Sequence, residues 1–161
     1  MGIATLEELL PRISDARHAG QTIVFTNGVF DILHRGHVTY LEEARRLGDL
    51  LIVGLNTDES VHRLKGPGRP VNTLEDRAAV LVALRSVDFV VPFAEDTPLR
   101  LIEALTPSVL VKGGDYAASE VVGGDWVVKH GGHIHIAPTL RGYSSTGIIR
   151  GLRPEPLPPD S

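Results

Sequence analysis

The stretch TIVFTNGVFDILHRGH, residues 22–37, joins an apolar segment to a polar turn that carries two histidines. Residues 22–26 are all β-branched or aromatic, which predicts a buried strand, and Asn27-Gly28 then turns the chain. The histidines directly precede residues 38–47, where apolar side chains recur at helical spacing. Strand, turn and helix in this order predict the first unit of a parallel α/β sheet.

The same alternation continues along the rest of the chain. Short apolar runs predict further strands at residues 50–55, 89–91, 109–111 and 133–137. Helical patterns lie at residues 5–17, 74–85, 97–105, 120–129 and 145–152, with Thr97 as a predicted N-cap. Because parallel strands need crossover helices, we predict an α/β, Rossmann-like parallel sheet of about five strands with helices on both faces.

Length and composition exclude several classes of protein. The 161 residues suit one domain, predicted over residues 1–152, and the Pro-rich residues 153–161 are predicted to form a disordered tail. A net charge of −4 without a basic stripe argues against a nucleic-acid partner. No apolar run approaches the roughly 20 residues of a membrane span, and no secretory signal is visible. The absence of Cys excludes disulfides and fits a cytoplasmic protein.

Groups suited to binding phosphate follow three of the predicted strands. His34 and His37 flank Gly36 at a helix start, where imidazole N–H groups and the helix N-terminus favour an anion. Ligands of parallel sheets bind beyond the carboxyl ends of the strands. The other candidates there are Lys112, Gly113 and Asp115 after the fourth strand, and Ser144, Ser145, Thr146 and Arg150 after the fifth. Each group alone also fits a helix cap or a solvated turn; their convergence favours a polyphosphate site.

Residues 63–71 are rich in Gly, Pro and basic side chains, which predicts an exposed and partly mobile loop. Lys65 and Arg69 fit either a solvated turn or a flap that closes on a bound polyphosphate. Arg77, on the following helix, is a further cation that we expect to be able to join them.

Other kinds of site are disfavoured. The histidine pair lacks a third ligand at a familiar spacing for zinc, and His130, His133 and His135 fit a solvated strand face better than a metal site. Neither the Gly-x-Gly-x-x-Gly motif of dinucleotide-binding folds nor the Gly-x-x-x-x-Gly-Lys-Ser/Thr phosphate loop is present.

Two motifs together resemble those of the cytidylyltransferase-like nucleotidyltransferases. They are HRGH at residues 34–37 and SSTGIIR at residues 144–150. The stretches TNGVFDILHRGHVTYLEEAR, GLNTDESV, KGPGRPV and LVKGGDY more closely resemble the adenylyltransferases of ADP-heptose synthesis, over roughly residues 5–152. Tyr143 departs from that pattern, since relatives commonly carry a smaller or aliphatic residue there.

The resemblance implies that ATP and D-glycero-β-D-manno-heptose 1-phosphate react to ADP-heptose and pyrophosphate, for lipopolysaccharide core synthesis. It assigns catalysis to His34, His37, Lys65 and Arg150, with nucleotide binding by those histidines and Arg150 together with Asn27, Gly28, Phe30, Gly36, Arg69, Ser144, Ser145 and Thr146. The sugar phosphate is assigned to Asp31, Asn56, Lys112, Gly113 and Asp115. Mg²⁺ is expected to enter with ATP, without dedicated protein ligands.

The remaining expectations concern partners and alternatives. A cytoplasmic homo-oligomer is expected, and the length leaves no room for the sugar kinase to which some relatives are fused. Two alternatives stay open: a cytidylyltransferase acting on glycerol 3-phosphate or a similar alcohol phosphate, and a non-catalytic module that senses nucleotides.

Overall fold

The computed structural model describes residues 2–114, 117–138 and 143–151, with the backbone alone of Arg150. Its six strands are β1 (Gly2–Ile3), β2 (Ile23–Gly28), β3 (Leu50–Asn56), β4 (Phe89–Phe93), β5 (Val109–Gly113) and β6 (His133–Ala137). Its helices are α1 (Leu6–His18), α2 (Arg35–Arg46), α3 (Asp58–Lys65), α4 (Leu74–Val82), α5 (Leu99–Leu105), α6 (Gly124–Lys129) and α7 (Ser145–Gly151), with a 3₁₀ turn at Ala118–Glu120. Every strand pair is parallel, in the order β1-β4-β3-β2-β5-β6.

Alternate side chains of the central strands pack into two separate hydrophobic cores, one on each face of the sheet. Val24 packs on one face of the sheet with α2 and α4, whereas its neighbour Phe25 packs on the other with α1, α5 and α6. Successive side chains of a strand point to opposite faces, so a continuous apolar run covers both. The predicted α/β sheet with helices on both faces is therefore confirmed.

The structure differs from the predicted elements where the local pattern is short. The two-residue strand β1 was not predicted, because two residues carry no periodicity. Helix α3 was also not predicted, because only Ser60 and Val61 of this helix are buried. It includes Lys65, which the sequence places in the basic loop. Helix α4 ends at Val82, three residues early, α5 has Pro98 at its N-cap instead of Thr97, and α6 begins only at Gly124.

The strand order places a crevice at the edge where the candidate residues lie. From β2 the chain moves through β3 to β4 on one side, then returns to place β5 and β6 on the other. Such a reversal opens a crevice beyond the carboxyl ends of β2 and β5, the strands on either side of it. The ends of β2 and β5 carry Asn27-Gly28 and Lys112-Gly113.

Among the described residues, no helix is long and apolar enough to cross a membrane. The predicted Pro-rich tail lies outside the described residues.

Candidate active site

Two adjoining cavities open at this edge of the sheet. The smaller, of about 380 Å³, contains His34, Gly36 and Tyr143, and we call it the imidazole lobe. The larger, of about 560 Å³, contains Lys65 and Asn56, and we call it the lysine lobe. The residues that line both are Asn27, Gly28, Val29, Phe30, His37, Lys112 and Ser145. The turn after β2, the end of β5 and the start of α7 thus face one continuous space.

The histidines stack on each other at the start of α2. The ring centroids of His34 and His37 lie 3.9 Å apart with an interplanar angle of 17°. Within the described part of the chain, neither buried Nδ1 atom has a hydrogen-bond partner of good geometry. A side chain at Gly36 would press on this pair, because its Cβ would lie 3.0 Å from Nδ1 of His34. Buried polar atoms are rarely left unpaired, so these rings are the groups a ligand would satisfy.

Burial keeps both imidazoles neutral. It lowers the pKa of His37 to about 4, with the neighbouring His34 acting in the same direction and the Ile32 carbonyl opposing it. Burial also lowers the pKa of His34. At neutral pH the pair therefore offers N–H donors and not fixed positive charges.

The hydroxyl residues at the start of α7 have three different environments. The Ser144 hydroxyl caps the helix by accepting from the Gly147 amide at 2.9 Å. The Ser145 hydroxyl donates to the Ile32 carbonyl at 2.9 Å, which ties α7 to the turn after β2. Thr146 is exposed and lines the lysine lobe. Asp115 and the side chain of Arg150, both predicted site groups, lie outside the described part of the structure.

Two lysines converge on the lysine lobe from different elements. Lys65 ends α3, and Lys112 lies on β5. Burial lowers the pKa of Lys112, and the nearby charge of Lys65 lowers it further. A bound anion would offset the repulsion between the two ammonium groups, which makes this part of the cavity suited to phosphate.

Asp31, which is predicted to bind the sugar phosphate, lines the lysine lobe and has its carboxylate hydrogen-bonded to a loop of the protein. Its carboxylate is fully buried and accepts from Arg69 Nε at 2.7 Å and from the amides of Val71 and Asn72, both at 2.9 Å. Burial alone would raise the pKa of Asp31, but these donors together hold it below its usual value. Arg69 lines the lysine lobe, yet its Nε is already engaged, so this part of the basic loop is held in place.

The prediction that Arg77 joins the phosphate-binding cations is wrong. Its side chain is fully buried and donates to the carbonyls of Val29 at 2.7 Å and Asn56 at 2.9 Å, and to the carboxylate of Asp58 at 2.7 Å. It also donates to the carbonyl of Asn72 at 3.1 Å. Arg77 thereby joins three loops beside the cavity. The Asn56 side chain donates to the hydroxyl of Ser60 at 2.9 Å, so it too is partly engaged within the protein.

Several lining residues of the lysine lobe were not predicted. They are Leu64, Asp96, Thr97, Pro98, Glu120, Val121 and Val122. Asp96 and Thr97 follow the carboxyl end of β4, so the strand-end rule, applied to that strand as well, would have found them. Glu120 ends a 3₁₀ turn, for which the sequence carries no clear signal.

Three further histidines lie at the end of α6 and on β6. His130 stacks on Trp126, His133 is exposed, and Nε2 of His135 lies 3.0 Å from a Glu43 carboxylate oxygen. The described residues contain no cluster of three or more His, Cys, Asp or Glu placed to hold a metal ion.

Comparisons with known proteins show which family the chain belongs to. The family model described as Cytidylyltransferase-like matches residues 25–151. The bifunctional protein HldE of Azotobacter vinelandii is 57% identical over 155 residues, which is 96% of this chain and 33% of that protein. HldE of Ectopseudomonas mendocina is 55% identical over 152 residues, covering 94% and 32% respectively. The chain thus spans about a third of the length of these curated relatives.

Solved structures share the fold. The lipopolysaccharide core biosynthesis protein of Thermoplasma volcanium superposes with a TM-score of 0.61 at 28% identity, over 75% of this chain and 98% of that one. Pantothenate synthetase of Thermus thermophilus has a TM-score of 0.59 at 19% identity, over 92% and 67%, a likeness of fold alone. On the family match and the identity to HldE, this chain belongs to the cytidylyltransferase-like family.

Proposed function

We propose that this chain transfers the adenylyl group of ATP to D-glycero-β-D-manno-heptose 1-phosphate, giving ADP-heptose and pyrophosphate. The observation that carries the proposal is a pair of adjoining lobes that meet at His37, Lys112 and Ser145. A transfer between two phosphorylated substrates needs two such spaces with a shared boundary. The identity to HldE and the likeness to a lipopolysaccharide core biosynthesis protein support the choice of substrates.

The imidazole lobe is suited to the triphosphate. Among its described lining residues there is no carboxylate, and it presents His34, Gly36 and the start of α7. We assign ATP to Asn27, Gly28, Phe30, His34, Gly36, His37, Arg69, Ser144, Ser145, Thr146 and Arg150. Arg69 and Thr146 line only the lysine lobe, so the triphosphate would reach across the boundary that the two lobes share. The lysine lobe, which is lined by Asp31, Asn56 and Lys112, is then left for the sugar phosphate, and Gly113 lies beside it in the imidazole lobe.

In the proposed reaction an oxygen of the sugar phosphate attacks the α-phosphorus of ATP in line. A new P–O bond forms as the bond to the β-phosphate breaks, and pyrophosphate leaves. Such a transfer depends on positioning and on neutralisation of charge more than on covalent help from the protein. The N–H groups of His34 and His37 donate to phosphate oxygens. Lys112 offsets negative charge where the lobes meet, and Lys65 does so within the lysine lobe.

A divalent metal ion is typical of nucleotidyl transfer from ATP, and we propose Mg²⁺. The described donors fit an ion that arrives with the nucleotide, since the imidazole nitrogens of His34 and His37 are poor ligands for Mg²⁺ and the Asp31 carboxylate is engaged. When bound, the ion supplies neutralisation of phosphate charge. Phosphate oxygens and water would complete its coordination.

We also propose a cytoplasmic homo-oligomer without a nucleic-acid or membrane partner. The net charge of −4 fits the absence of a nucleic-acid partner. Light scattering of the purified chain measures the oligomeric state.

A substrate panel tests the proposed function. Pyrophosphate release is measured with ATP or CTP, each combined with heptose 1-phosphate or glycerol 3-phosphate. We expect the highest kcat/KM for ATP with heptose 1-phosphate. Release with CTP alone would overturn the choice of nucleotide in favour of a cytidylyltransferase. Calorimetric binding of ATP without release from any pair would indicate the non-catalytic nucleotide-sensing module.

A further inference from the structure

The two lobes differ in the charges that line them. Both contain Lys112, but only the lysine lobe contains the exposed carboxylates of Asp96 and Glu120 among the described residues. Lys112 is half-buried, whereas both of these acidic residues are exposed, which places the carboxylates toward the mouth of the cavity. A triphosphate that filled this lobe would be repelled at its mouth. A phosphate monoester whose other end is an uncharged polyol would meet the half-buried Lys112 with its phosphate, and the exposed Lys65 and the two carboxylate acceptors lie further out.

Each carboxylate is oriented through one of its oxygens. Oδ1 of Asp96 accepts from Nε of Arg63 at 2.9 Å, and Arg63 also donates to the Ala94 carbonyl. Oε2 of Glu120 accepts from the Ala117 amide at 3.1 Å. No described protein group donates to the second oxygen of either carboxylate. An oriented carboxylate with a remaining acceptor oxygen is well suited to sugar hydroxyls, because it can only accept hydrogen bonds.

We propose that Asp96 and Glu120 are specificity-determining residues that accept hydrogen bonds from the hydroxyl groups of a polyhydroxylated phosphate monoester in the lysine lobe. The proposal rests on the proposed function, since it places the acceptor substrate of that reaction. It predicts opposite effects of removing a carboxylate. A sugar phosphate loses a charge-assisted hydrogen bond, because the amide that replaces the carboxylate is an uncharged and weaker acceptor, whereas a bare phosphate loses only a repulsive neighbour.

The test is calorimetric binding without ATP, so it does not depend on turnover. The ligands are heptose 1-phosphate and inorganic phosphate, and the proteins are wild type, Asp96→Asn, Glu120→Gln and the control Glu103→Gln. Glu103 is an exposed residue of α5 that lies outside both lobes. We expect each site variant to bind heptose 1-phosphate about 10-fold more weakly, the usual scale for hydrogen bonds to a charged group. Inorganic phosphate should bind equally well or more tightly.

Two results would overturn the inference. One is equal affinity of the wild-type protein for heptose 1-phosphate and inorganic phosphate. The other is a site variant that binds both ligands more weakly by a similar factor. That result would indicate a distorted cavity, because distortion lowers the affinity for both ligands. The protein could also bind heptose 1-phosphate more tightly than inorganic phosphate, as inferred, and yet release no pyrophosphate in the substrate panel. That result would reject the proposed function and support the polyol site.

Discussion

The histidine pair at the start of α2 and the network of Asp31 and Arg77 beside it differ in whether their buried polar atoms have hydrogen-bond partners within the protein. His34 and His37 leave their Nδ1 atoms without protein partners of good geometry in the described structure. Three residues before His34, Asp31 has all its hydrogen bonds made by the loop that contains Arg69. Both regions follow the same strand and lie beside the same cavity, so position in the fold alone does not separate them.

The contrast separates ligand-binding groups from supporting groups. A buried polar group without a partner carries a free-energy cost that a ligand can relieve, whereas a saturated one has little to offer a ligand. We therefore propose that the histidines, which line the imidazole lobe, bind the ligand, whereas Asp31 and Arg77 hold the loops around the cavity.

The largest effect is expected for the support. Arg77→Met leaves the Asp58 carboxylate and three backbone carbonyls without their donor, so the free energy of unfolding should fall by about 3–5 kcal/mol. The control is Arg100→Met, whose pair with Glu95 is on the surface and should change stability by less than about 1 kcal/mol. Urea denaturation measures both, and similar losses in the two variants would contradict a supporting role for Arg77.

Substitution in the histidine pair should affect turnover more than stability. His37→Ala should lower turnover about 100-fold or more, as expected for the loss of a donor to the transition state, with a smaller change in stability than Arg77→Met. His133→Ala removes an exposed histidine outside both lobes and serves as the control. Steady-state pyrophosphate release checks the prediction, and near-normal turnover of His37→Ala would exclude the assigned role.

A steric change at the same place should have an intermediate effect. Gly36→Ala puts a Cβ 3.0 Å from Nδ1 of His34 and 3.1 Å from Cβ of Tyr143, so the ring must move. We expect turnover to fall by about 10-fold, the scale of small misplacements of a binding group. At Gly151 no described atom outside the residue's chain neighbours and its own helix backbone lies within 4 Å of an added Cβ, and Gly151→Ala should retain full activity. Equal activity of the two variants would show that the stacked geometry is not required.

The smallest effect concerns pH. The pKa of His37 is about 4 in the fold and 6.5 for an ordinary histidine, so between these values the unfolded chain takes up a proton that the native state excludes. The stability of the neutral site is therefore complete above pH 6.5 and is lost as the pH falls toward about 4. Urea denaturation of wild type and His37→Gln at several pH values measures this effect. The free energy of unfolding of wild type should fall relative to that of His37→Gln as the pH drops from 6.5 toward about 4. A difference that is constant with pH would contradict the burial of a neutral imidazole.

Sequence reasoning performed well where the signal is local. The apolar runs of β2, β3 and β5 and the helical spacing of α2 were predicted because each depends on neighbouring residues. The motif HRGH was placed correctly at a helix start for the same reason. Helix α3 was missed because its apolar side is too short to show a period.

The partners of individual side chains were not predictable in this way. Asp31 and Arg69 are 38 residues apart, and Arg77 and Val29 are 48 apart. Nothing in the residue types distinguishes the cation that pairs internally, Arg77, from the one that lines the cavity, Lys65. Burial makes that distinction, and burial depends on how the helices pack on the sheet.

The sequence by itself determined the alternation of strands and helices, the parallel sheet and the phosphate-suited groups at the strand ends, since each of these is written in short-range patterns. Only the tertiary structure decided the strand order, the hydrogen bonding of Asp31 and Arg77 to the protein's own loops, and the presence of Asp96 and Glu120 in the same cavity as the lysines. Those outcomes depend on which distant groups meet in space and on which are shielded from water.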